Sequence, residues 1–108
     1  MINNTQTYNN QRGIYINTSA NTTVNNSQFY NNGDGIYIQD NGNNTTINNS
    51  ASYNNNRHGI YTNSFNGKLN NVALYNNGLY AIRNNGGSVS YYGTLTMFEN
   101  MNGSINGN

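Results

Sequence analysis

The sequence predicts an all-β solenoid, a single domain over residues 1–108 whose short coils stack on one another. Three observations carry that prediction. An aromatic anchor recurs at Tyr8, Tyr30, Tyr53, Tyr75 and Phe98, with spacings of 22, 23, 22 and 23 residues. An aliphatic residue upstream of it recurs at Ile2, Val24, Ile47 and Leu69, spaced 22, 23 and 22. A glycine downstream opens an alternating run, as Gly13-Ile14-Tyr15-Ile16, Gly35-Ile36-Tyr37-Ile38 and Gly59-Ile60-Tyr61-Thr62. A fixed period of this size means that each repeat is one structural unit, which buries its apolar face only by stacking on its neighbours.

The coils follow from these registers, at residues 2–23, 24–46, 47–68, 69–91 and a partial 92–108, or about 4.5 coils of 22–23 residues. Coil one runs from Ile2-Asn3-Asn4 through Tyr8-Asn9-Asn10 to Ile16, and coil two repeats it. Coil three carries one extra residue near Arg57-His58. Coil four departs from the pattern, with Tyr80-Ala81-Ile82-Arg83 where Gly-Ile-Tyr-Ile is expected, and coil five is degenerate, with Phe98 as its anchor and Ile105 in the isoleucine slot.

Each coil offers three short strands separated by Asn- or Gly-rich corners. In the isoleucine strand, alternation puts Ile14 and Ile16 on one face and Tyr15 on the other. In the anchor strand, Val72 and Leu74 precede Tyr75 at positions that must face inward. Earlier coils hold Thr5/Thr7, Ser27/Phe29 and Ser50/Ser52 there, so the anchor aromatics point outward. Counting back from Tyr30 to Val24, the inward parity breaks once, at Asn25-Asn26. A corner is the natural cause, since Asn accepts left-handed backbone angles better than most residues. The same corner argument assigns Gly13, Gly35 and Gly59 to positions needing a permissive backbone angle.

Composition narrows the function classes. Thirty of the 108 residues are Asn, while four Lys/Arg face three Asp/Glu for a net charge of +1. That balance gives no electrostatic footprint for nucleic acid or an anionic membrane. No cysteine is present, so neither a disulfide framework nor a thiolate metal site exists. No apolar run is long enough for a membrane span, and residues 1–20 lack a signal-peptide core. Asn-rich low complexity often means disorder, but disorder requires neither apolar residues in register nor glycines at fixed offsets. Helix is excluded by the absence of a 3.6-residue apolar pattern and by the density of Asn and Gly.

These residues resemble the parallel β-helix repeats of the pectin-lyase-like superfamily, over essentially residues 2–105. In style they are similar to the right-handed β-helix repeats of bacterial and archaeal secreted and surface proteins, including the carbohydrate-binding and sugar-hydrolysis type. The resemblance implies a right-handed solenoid with three strands per coil, stacked asparagines at the corners, an extracellular or cell-surface location, and contact with polysaccharide. Members range from lyases, hydrolases and epimerases to inert spacers.

Stacked coils place identical residues about 4.8 Å apart. The second asparagines of each corner, Asn4/Asn26/Asn49/Asn71 and Asn10/Asn32/Asn55/Asn77, are then expected to pass amide hydrogen bonds from coil to coil. Tyr15, Tyr37 and Tyr61 should form one exposed stack, and Tyr8, Tyr30, Tyr53, Tyr75 and Phe98 a second. Such stacks stabilise adjacent strands, and they also offer an aromatic surface for sugars or for lateral association of chains. One turn carries charge in successive coils: Arg12, Asp34, then Arg57 and His58. It reads first as a surface ion-pair stack of small energetic worth. The functional alternative makes Asp34 and His58 an acid–base pair with an arginine holding a uronate. Asp40 and Glu99 belong to other turns, and one His with scattered acids is too few for a metal site.

The expected function is therefore a non-catalytic scaffold or spacer module, without cofactor or metal, with polysaccharide as the expected partner and the tyrosines as the contact. Two alternatives stand beside it. One is a self-assembling fibre subunit stacking end to end or laterally. The other is a fragment of a polysaccharide lyase, hydrolase or epimerase whose catalytic coils lie elsewhere.

Overall fold

The computed structural model describes residues 1–17, 21–39, 45–63 and 65–107. Coil one contributes β1 (Ile2–Asn3), β2 (Gln6–Tyr8) and β3 (Arg12–Ile16), and coil two β4 (Thr22–Asn25), β5 (Gln28–Tyr30) and β6 (Asp34–Gln39). Coil three contributes β7 (Thr45–Asn48), β8 (Ala51–Tyr53) and β9 (Ile60–Asn63). Coil four holds β10 (Phe65–Tyr75) and β11 (Tyr80–Asn84), and coil five β12 (Gly87–Phe98) and β13 (Gly103–Gly107). No helix occurs among the described residues.

Every ladder is parallel. One face stacks β3, β6, β9, β11 and β13; the other two faces belong to one sheet, because β10 and β12 run unbroken through the first corner and join them. The three short strands expected per coil thus become two in coils four and five. The anchors pair as read from the period, with Tyr8 opposite Tyr30, Tyr30 opposite Tyr53, Tyr53 opposite Tyr75 and Tyr75 opposite Phe98. The aliphatics do the same, from Ile2 to Val24, Ile47 and Leu69.

The core is a column of these repeats. Val24, Ile47 and Leu69 from one face, Phe29, Val72 and Leu74 from the second, and Ile36, Ile60 and Ile82 from the third are all buried. Each fully buried side chain of this kind stabilises by about 1.5–3 kcal/mol, and a coil gains it only when a neighbour covers the layer.

The corners are held by asparagine in two distinct ways. At the first corner Asn4, Asn26, Asn49 and Asn71 have φ between 50° and 54°, the left-handed region. Their side chains are exposed, and one coil-to-coil bond joins them, Asn71 Nδ2 to Asn49 Oδ1 at 3.2 Å. The expected inward ladder at Asn4/Asn26/Asn49/Asn71 is therefore corrected: these residues supply the bend. Inside that corner the coil-to-coil bonds run through serine, with Thr5 N–H donating to Ser27 Oγ (3.1 Å) and Ser27 N–H to Ser50 Oγ (3.0 Å).

At the second corner the first asparagine bends and the second turns in. Asn9, Asn31, Asn54 and Asn76 have positive φ, while Asn32, Asn55 and Asn77 are 1–2% exposed. Each inner amide reaches back one coil. Asn55 Oδ1 accepts Asn32 N–H at 3.0 Å, and Asn77 Oδ1 accepts Asn55 N–H at 3.2 Å. Their Nδ2 groups donate onward, Asn55 to Asn77 Oδ1 (2.9 Å) and Asn77 to Asn100 Oδ1 (2.8 Å). The side chains thus take the N–H groups of Asn32 and Asn55, while the carbonyls of Asn32 and Asn55 keep backbone partners in the next coil, so the buried polar groups of the bend are paired.

The glycines also need correction. Gly13, Gly35 and Gly59 do not have positive φ; among the described glycines only Gly93 and Gly103 do. They are small because of what lies above them. A Cβ on Gly35 would run into Ser52 Oγ and come within 2.7 Å of Asn55 Nδ2, and one on Gly59 would sit 2.9 Å from Asn77 Nδ2. The asparagine ladder and the glycine column are therefore one packing arrangement.

Candidate functional site

Two outward surfaces collect the residues singled out in the sequence. The first is the anchor ladder. Tyr8, Tyr30, Tyr53, Tyr75 and Phe98 stack with ring centroids 4.8–5.3 Å apart and planes within 14° of parallel. Each interior ring therefore has both faces covered by neighbours and shows solvent its edge and hydroxyl. Tyr8 and Phe98 at the two ends are 52% and 45% exposed. The hydroxyls of Tyr30 and Tyr53 lie 3.4 and 3.1 Å from Gln6 Oε1 and Gln28 Oε1, to which they donate. Burial, then the adjacent Tyr75 and Tyr30, pushes the Tyr53 hydroxyl above the ordinary phenol pKa. The outward partners on these strands are Gln6, Gln28, Ala51 and Ala73, so no charged side chain interrupts the ladder from coil one to coil four.

The second surface lies outside β3, β6, β9 and β11. Tyr15, Tyr37 and Tyr61 stack at 5.0 and 4.9 Å. In coil four the register pairs Ile82 with Ile60 and Arg83 with Tyr61, so Ala81 fills the glycine slot and Arg83 ends the tyrosine stack. The sequence reading set Tyr80-Ala81-Ile82-Arg83 against Gly-Ile-Tyr-Ile, and the observed register corrects that alignment by one residue. The signal was available, because a spacing of 22 from Gly59 lands on Ala81. Gln39, missed from the sequence, accepts the Tyr15 hydroxyl at 2.7 Å.

The charged turn is not a surface stack. Asp34 is 3% exposed and His58 5%. Asp34 Oδ1 accepts His58 backbone N–H at 3.3 Å and lies 3.7 Å from Arg57 Nε. Arg12, although opposite Asp34 in the ladder, turns away from it: its guanidinium carbon is 4.8 Å from the Tyr15 ring centre and 4.3 Å from that of Tyr37. Of the two arginines read into that ion-pair stack, Arg57 alone pairs with Asp34. The reason is that a guanidinium at an exposed edge gains from aromatic faces.

The His58 ring is set between the rings of Tyr61 (5.5 Å) and Tyr80 (6.0 Å), and its Nδ1 accepts Tyr80 N–H at 3.3 Å. Asp34 thus meets the backbone of His58. Burial lowers the His58 pKa; Asp34 opposes this, and Arg57 and Arg83 add to it. Asp40 lies outside the described residues. Glu99 sits at the second corner with φ 55°, beside an open hollow of about 550 Å³ walled by Asn54, Asn76 and Met101. Among the described residues, no three His, Cys, Asp or Glu side chains gather to hold a metal ion. No helix among them is long and apolar enough to cross a membrane.

The parallel register of all the ladders, with an asparagine column at the second corner, agrees with a family comparison in which the model for the right-handed β-helix region matches residues 1–107. The chain belongs to the right-handed β-helix family. That assignment is consistent with the pectin-lyase-like superfamily and supplies the hand of the coil. No curated protein and no solved structure matches it significantly. The right-handed β-helix serves enzymes and non-enzymes alike, so the family by itself does not choose between them.

Proposed function

We propose that this right-handed β-helix is a non-catalytic structural module of an extracellular or cell-surface protein, and that its long aromatic ladder contacts neutral polysaccharide. The observation that carries the reading is the uncharged ladder from Tyr8 to Phe98, with one ring for every coil at centroid spacings of 4.8–5.3 Å. An extended β-linked glycan advances by one sugar over a comparable length, so a chain lying along the solenoid axis meets one ring edge and hydroxyl per sugar. Ring edges and phenol hydroxyls contact sugar C–H and O–H groups along the strip, while face-on stacking is left to Tyr8 and Phe98. The scaffold part of the reading rests on the coil-to-coil redundancy of core and corners, which gives the stiffness that a spacer requires.

The test is retention of the purified chain on insoluble neutral β-glucans, compared with the Tyr30→Ala and Tyr53→Ala variants, each checked for folding by circular dichroism. The expected outcome is binding by the parent and at least a tenfold loss in each variant. A parent that ignores every neutral glycan would refute the polysaccharide reading. If it also formed oligomers that Tyr53→Ala disperses, the ladder would instead join copies of this chain laterally.

A further inference from the structure

The ladder of Tyr8, Tyr30, Tyr53 and Tyr75 holds neighbouring phenols in parallel register, coil against coil. Tyr53 and Tyr75 form its closest pair, with ring centroids 4.8 Å apart and planes within 2° of parallel. Both rings are half-buried, so each keeps an edge in solvent. Gln6 and Gln28 accept the hydroxyls of Tyr30 and Tyr53, whereas the corresponding position below Tyr75 is Ala51. Alanine neither holds a phenol hydroxyl nor fills the space beside a ring, which leaves Tyr75 free to turn about its Cβ–Cγ bond toward Tyr53. The second stack is guarded differently. Tyr15, Tyr37 and Tyr61 lie as close, at 5.0 and 4.9 Å, but the Arg12 guanidinium sits over Tyr15 and Tyr37 at 4.8 and 4.3 Å. A cation held against a ring opposes removal of an electron from it. The Tyr15 hydroxyl is also tied to Gln39 Oε1 and that of Tyr61 to Asn85 Nδ2, each at 2.7 Å. Among the described residues no cation lies over a ring of the first ladder.

We propose that the first ladder is an oxidative cross-linking site, at which a one-electron oxidant of the haem-peroxidase class, supplied with hydrogen peroxide, joins Tyr53 to Tyr75 by a carbon–carbon bond. Each phenol loses one electron and its hydroxyl proton. The two phenoxyl radicals form a bond between one Cε of each ring, and the hydrogens on those carbons move to the oxygens to restore two phenols. Hydrogen peroxide takes up the two electrons and two protons and leaves as two waters. Phenoxyl radicals in solution must meet by diffusion; here the partner is held one coil away, so the encounter is already made. The new bond turns the rings out of parallel, which the space beside Ala51 permits. The product closes the 22-residue interval between coils three and four and restricts the unfolded chain as other cross-links do. The reaction needs only the exposed phenol edges and does not depend on what the ladder binds.

The experiment is treatment of the purified chain, with no glycan present, with dilute hydrogen peroxide and a haem peroxidase. The readouts are dityrosine fluorescence and mass mapping of the product that stays monomeric on a denaturing gel. Trypsin cuts after Arg57 and Lys68, so Tyr53 and Tyr75 fall in different peptides. Those peptides are expected to be recovered joined, two hydrogens lighter than their sum, and Tyr75→Phe should abolish the joined product. Tyr30→Phe combined with Tyr75→Phe leaves no adjacent phenols in the ladder and should lower the monomer's fluorescence at least fivefold. Tyr37→Phe separates the phenols of the second stack in the same way and should leave that fluorescence unaltered. Phenylalanine keeps a ring in every coil, and circular dichroism checks that each variant folds. The cross-linked monomer should unfold at a higher urea concentration than the untreated chain. Dityrosine confined to covalent dimers, or a double variant that reacts like the parent, would overturn the proposal. So would a dominant product joining Tyr37 to Tyr15 or Tyr61.

Discussion

Replacing Asn55 by Ala tests the corner ladder most directly. Asn55 is 2% exposed and its side chain makes contacts in both directions along the solenoid. Its Oδ1 accepts Asn32 N–H at 3.0 Å, and its Nδ2 donates to Asn77 Oδ1 at 2.9 Å, Ser52 Oγ at 3.0 Å and Phe29 O at 3.4 Å. After truncation Asn77 Oδ1 still receives Asn55 N–H, and Ser52 Oγ still donates to Gly59 O. Asn32 N–H has no such substitute and is left unpaired in a dry corner. One orphaned donor costs about 1–3 kcal/mol and the lost bonds about 0.5–1.5 kcal/mol each, so the variant should lose about 2–5 kcal/mol. For a domain of this size that corresponds to a melting temperature lower by roughly 10–25 °C. The control is Asn49→Ala, at an exposed position with φ 50°. It forfeits the ease with which Asn adopts that angle, about 1 kcal/mol, and one exposed bond accepted from Asn71 Nδ2, while no buried N–H is orphaned. Thermal and urea unfolding of both variants decide the matter. If Asn55→Ala melts no lower than Asn49→Ala, the inner ladder does not hold the corner and the reasoning fails.

Two further outcomes follow from the same packing. The folded His58 has a lowered pKa, chiefly from burial, so the unfolded chain binds its proton first as pH falls. Stability contributed by neutral His58 is therefore complete above the unfolded pKa of about 6.5 and declines as pH drops below it toward the folded value. His58→Gln should flatten urea-unfolding stability between about pH 7 and 5; a slope equal to the parent's would show that another group titrates there. Gly35→Ala places a methyl against Ser52 Oγ, Asn55 Nδ2 and Gly59 O and should cost about 1–3 kcal/mol by overpacking. Adding Ser52→Ala should return part of that loss, and full additivity of the two changes would argue against the contact.

Much of the architecture was legible because a solenoid repeats its pairing partners in the sequence itself. The spacing of Tyr8, Tyr30, Tyr53, Tyr75 and Phe98 states the register of one ladder, and the parity of Val72 and Leu74 around Tyr75 states which side faces the core. The burial of Ser27, Ser50 and Ser52 follows from that parity even though serine is polar. What misled was assigning roles within doubled asparagines. Asn-Asn appears at both corners, but the first corner bends at its second residue and the second corner at its first. Nothing in the residue types distinguishes them; the direction of the chain into the next strand does.

The sequence alone determined the coil period, the inward and outward sides of each strand, and the two aromatic stacks, because parallel stacking turns a sequence interval directly into a spatial neighbour. Only the tertiary structure decided which asparagine of each pair enters the core, that Gly35 and Gly59 are small to clear an amide ladder, and that Asp34 is buried while Arg12 lies on tyrosine rings. Those outcomes depend on side-chain direction at a bend and on competition between a carboxylate and an aromatic face for one guanidinium. Both are settled by three-dimensional distance between coils, which a repeat interval does not contain.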